Sequence, residues 1–156
     1  MKHHCIAVSI CLIATGCASH SAQQILSAKE EMAVWQRNSA EPTPSSWASG
    51  SKWRFVVADT GKPPREVTFV VTDEPAETCM SGEWKRLDVS GDSALHLNQP
   101  AYSVSGRNLQ IQLSTDLCDA YDMLVGSLQG ASFSGTHRFS GLRGSQDFGP
   151  VTGTKE

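Results

Sequence analysis

No stretch of this chain is long and apolar enough to cross a bilayer as a helix. The longest apolar run, Cys5–Thr15 (CIAVSICLIAT), has eleven residues, and a spanning helix needs about 20. Positive charge is also scarce. Thirteen Lys+Arg stand against 16 Asp+Glu, a net charge of −3, so the chain has no basic footprint for nucleic acid. There is no GxxxxGK[ST] loop, no GxGxxG opening a helix and no GxSxG elbow, which argues against a phosphate cradle and a strained serine nucleophile. His20 and His96 stand in neither HExxH nor HxxxH spacing. With these motifs absent the chain is expected not to be an enzyme and to need no cofactor or metal. What is present excludes disorder: 39% apolar residues, four Trp, five Phe and only 19% charged residues can support a core. A length of 156 residues suits one domain with a tail.

The chain begins as an address. Lys2 precedes the short apolar run, and small residues follow it, the layout of a secretory signal. The run closes on Ile13-Ala14-Thr15-Gly16-Cys17, which resembles a bacterial lipobox, although Ala14 stands where that motif prefers Leu. The resemblance implies removal of residues 1–16 and a lipid anchor, palmitate included, on Cys17, because only a thiol at the cut can become a thioether. Ala18 and Ser19 follow instead of an aspartate. By analogy with lipoprotein sorting in enteric bacteria, this implies an outer-membrane lipoprotein facing the periplasm.

Cysteine arithmetic follows from that reading. Cys5 and Cys11 leave with the signal and Cys17 is taken by lipid, so Cys79 and Cys118 remain in an oxidising compartment, where a disulfide is expected. It closes a loop of about 40 residues, on the order of 4 kcal/mol in the chain-entropy picture.

Residues 17–51 read as the lipidated N-terminus, a short helix and a linker. Ser21-Ala-Gln-Gln24 has the form of a capping box, and Ile25, Leu26, Met32 and Trp35 fall on one helical face to about Arg37. Asn38–Ser51, rich in Pro, Ser and Gly, reads as linker or loop. From Lys52 the period becomes two. Trp53, Phe55 and Val57 alternate with Lys52, Arg54 and Val56; Val67, Phe69 and Val71 alternate with Thr68, Val70 and Thr72; Leu109, Ile111 and Leu113 have Gln110 and Gln112 between them. Further strands are expected at Trp84–Val89, Ala94–Leu97, Tyr102–Ser105, Tyr121–Val125, 131–140 and Phe148–Thr154, separated by turns such as Asp59-Thr-Gly61-Lys-Pro-Pro64 and Gln129-Gly130. Eight or nine short strands with no helix between them predict an all-β domain over 52–156. A small antiparallel up-and-down barrel of about eight strands is favoured because closure removes the edges. A two-sheet β-sandwich is the alternative. The meander, with Gly82-Glu83-Trp84, resembles the calycin group (lipocalins and avidins).

Few residues carry chemistry. Asp116, Asp119 and Asp122 gather three carboxylates, read either as a calcium loop or as a turn whose Asp side chains cap backbone N–H groups. His137 shares a strand face with Phe133 and points inward, either as a satisfied core residue or as a ligand contact. Arg138 and Arg143 lie beside the Ser-Gly pairs Ser134-Gly135 and Ser140-Gly141. Such Ser-Gly loops resemble those with which bacterial lysozyme inhibitors enter their target. His137, Arg138 and Arg143 are therefore the candidate ligand or partner contacts. Two functions fit: a lipid-anchored, non-enzymatic binding module for an apolar or cell-envelope ligand, or an inhibitor or immunity protein against a cell-wall hydrolase. A barrel open at one end favours the first; a filled barrel with a protruding Arg/Ser/Gly loop favours the second.

Overall fold

The computed structural model describes residues 17–156, with side chains from residue 28 onward. The signal segment 1–16 lies outside these residues, as does the side chain of Cys17. One helix, α1 (Cys17–Ala40), precedes eight strands: β1 (Lys52–Val57), β2 (Arg65–Pro75), β3 (Lys85–Val89), β4 (Ala101–Ser105), β5 (Asn108–Gln112), β6 (Ala120–Gln129), β7 (Ser132–Gly141) and β8 (Gly144–Lys155). Each strand pairs with the next, and β8 returns to β1 in antiparallel register, with Phe55 opposite Gly153. The barrel is thus closed and simply wound, which sets aside the sandwich. Among the described residues no helix is long and apolar enough to cross a membrane.

The alternation that identified the strands also sorts the two faces. Trp53, Phe55 and Val57 of β1, Val67, Phe69 and Val71 of β2, Leu109 and Ile111 of β5, Leu124 and Leu128 of β6, Phe133 of β7 and Val151 of β8 form one buried cluster inside the barrel. Phe55 stacks edge-on to Phe69 and Phe133, with ring centroids 5.8 and 5.3 Å away. Side chains therefore fill the lumen, as an eight-stranded barrel permits.

Two segments depart from the sequence expectation. Residues 41–51 are no free linker. They fold beneath the barrel, and Trp47, only 6% exposed, lies 5.1 Å from Trp53 and 5.4 Å from Tyr102 by ring centroid. Burying an indole outweighs the loop-forming composition around it. The compact unit holding the barrel accordingly begins at Trp35. Ala94–Leu97 is not a strand: Leu95 is buried, but its N–H goes to Ser93 Oγ at 3.0 Å, and such a local bond competes with strand pairing.

The last turn of α1 is fastened to the β4–β5 turn. Buried Asn108 donates to the Trp35 carbonyl at 2.7 Å and to Ser39 Oγ at 2.8 Å, and Arg107 donates from its backbone N–H and its guanidinium to Asn38. Two of these bonds, to the Trp35 and Asn38 carbonyls, satisfy acceptors that a helix C-terminus otherwise leaves unsatisfied. Gly106, at φ +60°, makes the approach possible, since a Cβ there would collide with the carbonyls of Asn38, Ser39 and Glu41. The polypeptide thus enters the barrel at the end formed by the β4–β5 and β6–β7 turns. The opposite end carries the β1–β2 loop, residues 113–119 and the β7–β8 hairpin.

Candidate functional site

At that opposite end the inward row of β7 runs out of apolar residues, and His137 takes the place. It is 4% exposed. The β6–β7 register sets His137 beside Leu124 and Asp122 beside Phe139, which brings Asp122 Oδ1 to 2.7 Å from His137 Nε2. The other ring nitrogen, Nδ1, is 2.7 Å from Asp59 Oδ1. Asp59 continues the inward row Trp53, Phe55, Val57 past the end of β1, and its carboxylate is 2% exposed.

Local backbone explains this convergence. The β7–β8 ladder shifts register between His137 and Arg138, pairing His137 with Gly149 and Arg138 with Asp147. The extra residue, Phe148, covers the imidazole at 5.0 Å between centroids. Gly149 lets the β1–β2 loop cross closely: a Cβ there would strike the backbone of Ala58 and Asp59. Thr60 N–H then bonds the Phe148 carbonyl at 2.8 Å. On its far side Asp59 Oδ2 accepts from Arg65 Nη2 at 2.5 Å, with Lys62 Nζ at 4.0 Å.

Burial alone pushes the His137 imidazole down, but its hydrogen bonds to Asp122 and then Asp59 outweigh that effect and hold it above the ordinary value of 6.5. Burial likewise pushes Asp59 up; the His137 hydrogen bond and charge, followed by Arg65, overcome this and keep the carboxyl below 3.8. Both N–H groups of a protonated ring are donated to carboxylates, so neither nitrogen keeps a lone pair with which to take a substrate proton.

The other sequence candidates lie around this cluster without joining it. Arg138 faces outward and donates to both Asp147 oxygens, at 2.5 and 3.0 Å. Arg143 sits with Leu142 in the two-residue turn of the β7–β8 hairpin, where Gly141 pairs Gly144 and Leu142 is 88% exposed. Leu117 and Phe139, 54% and 36% exposed, lie at the same end. Of the three clustered aspartates, Asp116 accepts from Ser114 Oγ at 2.7 Å, Asp119 takes a left-handed φ of +64°, and Asp122 turns inward to His137. Among the described residues no group of three His, Cys, Asp or Glu side chains is arranged to hold a metal ion.

Cys79 and Cys118 are joined as a disulfide with Cα atoms 5.4 Å apart. It pins residues 76–84 across the outside of β4–β6, where Trp84, Ala101 and Met123 form a second buried cluster joined by Ala76, Met80, Tyr121 and Val125. Trp84 therefore precedes the third strand and packs outside the barrel. Beside residues 76–84, which form a flap, a surface cleft of about 440 Å³ is lined by Pro75, Ala76, Glu77, Arg86, Gln99 and Thr115.

Sequence reasoning found His137 but missed both of its partners. In the sequence Asp59 opens a turn motif, yet it also stands two residues beyond Val57 in an unbroken inward alternation. No family model, curated protein or solved structure matches the chain.

Proposed function

We propose that this chain is a lipid-anchored, non-enzymatic binding module of a bacterial cell envelope, and that it binds a protein, a cell-wall hydrolase that it inhibits. The filled barrel carries this reading. With Trp53, Phe55, Phe69, Phe133 and the aliphatic residues between them packed in the lumen, binding has to use the outside of the molecule. The β7–β8 hairpin offers a narrow projection for it, with Leu142 88% exposed and Arg143 beside it. An apolar tip next to a guanidinium suits a hydrolase cleft that holds catalytic carboxylates. The anchor on Cys17 would hold the module at the outer membrane. The chain enters the barrel at the end away from the hairpin. The disulfide suits that compartment, and the double commitment of the His137 nitrogens argues against a catalytic base.

Two measurements test this. Metabolic labelling with a tritiated fatty acid is expected to mark the full chain and not its Cys17→Ser variant. In a turbidity assay on isolated peptidoglycan, an equimolar amount of the module is expected to slow a lysozyme-type hydrolase, and Leu142→Asp and Arg143→Glu are expected to relieve that inhibition. Undiminished clearing across a panel of muramidases and amidases would remove the inhibitor reading.

A further inference from the structure

The bridge Asp59–His137–Asp122 needs two N–H donors, and a histidine supplies two only when it is protonated. The elements around the ring leave little else to compensate. The β1–β2 loop contributes Asp59 and Lys62, β2 contributes Arg65 and β6 contributes Asp122, while β8 contributes the uncharged ring of Phe148 and turns Asp147 outward to Arg138. When the imidazole is neutral, one carboxylate must face a ring lone pair across 2.7 Å. The two carboxylates are not equivalent. Asp59 is 2% exposed and keeps Arg65 on its second oxygen, whereas the Asp122 side chain is 40% exposed and can turn to water.

We propose that this bridge is a proton-operated latch, in which loss of one proton from His137 leaves Asp59 bound and releases Asp122, loosening the end of the barrel that carries Leu117, Phe139 and Leu142. The proton that stays is the one on Nδ1, toward Asp59; the one that leaves is on Nε2. Asp122 is well placed to transmit the change. It is the third residue of β6, its carbonyl accepts from Leu113 N–H at 2.8 Å, and it pairs with Phe139, three residues before the hairpin turn. The segment it holds, 113–122, is also tied through Leu113 and Thr115 to residues 98–99 and at Cys118 by the disulfide, which leaves 116–122 the part most dependent on Asp122. The latch stands whether or not the rim takes a partner.

The test follows the ring nitrogens and the backbone amides of uniformly ¹⁵N-labelled protein from about pH 5 to about pH 10, a range wide enough to cross a raised histidine pKa. Three results are expected. The His137 ring titrates above 6.5. Its neutral form is protonated at Nδ1. Amide exchange at residues 117–122 and 139–144, corrected for the intrinsic pH dependence of exchange, accelerates about tenfold across that same titration while Thr60 and Lys62 stay protected. In Asp122→Asn, which keeps a polar side chain of the same size, the ring midpoint should fall and the rim should exchange at the faster rate at every pH. A neutral ring protonated at Nε2, or loosening of the β1–β2 loop in place of the rim, would overturn the latch. So would rim exchange that ignores the titration in the unmodified chain.

Discussion

Asp59 and His137 stand 78 residues apart in the chain and 2.7 Å apart in space. Their pairing joins the loop after the first strand to the inward face of the seventh. Both side chains are nearly sealed from water, at 2% and 5% exposure, so neither can fall back on solvent if the other is removed. The pair also gives the barrel a polar ceiling where its apolar rows end.

Removing one partner should therefore cost more than the pair contributes. In Asp59→Ala the imidazolium keeps only Asp122, and the Arg65 guanidinium loses its partner. About 3 kcal/mol of stability is expected to go, the scale for stranding a buried charge. Asp122→Ala should cost about 1 kcal/mol or less, because its 40% exposed carboxylate is already well hydrated. Urea unfolding monitored by tryptophan fluorescence checks both: the midpoint should fall clearly for the first variant and slightly for the second, with unchanged slope.

The same pair sets the pH dependence of stability. His137 has its folded pKa raised above 6.5, so its contribution is complete below 6.5 and is lost as pH rises through the raised value. Asp59 has its folded pKa lowered below 3.8, so its contribution is present above 3.8 and is lost as pH falls through the lowered value. Urea midpoints should form a plateau between those limits and decline on either side. His137→Gln should flatten the alkaline decline; an equally steep decline in that variant would assign it to other groups.

The Cys79–Cys118 bond closes a loop of 39 residues in sequence separation and holds residues 76–84 over Met123 and Val125. Cys79→Ser with Cys118→Ser is expected to lower stability by about 4 kcal/mol. The barrel ladder should survive, because every strand has two neighbours without the flap. Limited proteolysis checks this: new cleavage should appear within 76–84 while far-UV circular dichroism keeps its strand signature.

The fold was legible because one rule governs most of it. Where a strand has one buried face, period-two alternation writes that face into the sequence, as Val67, Phe69 and Val71 or Leu109, Ile111 and Leu113 show. Trp47 escaped the rule because its neighbours, Pro44, Ser45, Ser46 and Ser49, have loop composition, and only the barrel end supplies the cavity that an indole fills. Asp122 escaped for a different reason. Its partner lies on another strand, and a carboxylate in a run of three looks like any solvated turn until the β6–β7 register sets it beside His137. His137 itself was visible as an inward residue, but its two bonds are tertiary facts that alternation cannot express.

The hairpin turn and the buried Trp47 can be told apart by what their substitutions leave intact. Leu142 is 88% exposed and belongs to neither buried cluster, so Leu142→Asp should leave stability within about 0.5 kcal/mol of the unmodified chain. Trp47→Ala removes a ring packed on Trp53, Phe55 and Tyr102 and should cost about 3 kcal/mol or more. If hydrolase inhibition depends on the hairpin, Leu142→Asp will lose it with stability intact, while Trp47→Ala, assayed well below its own unfolding midpoint, will keep it. The reverse pattern would place the working surface at the end where the chain enters the barrel, and would turn attention from Arg143 to the turns that clamp α1.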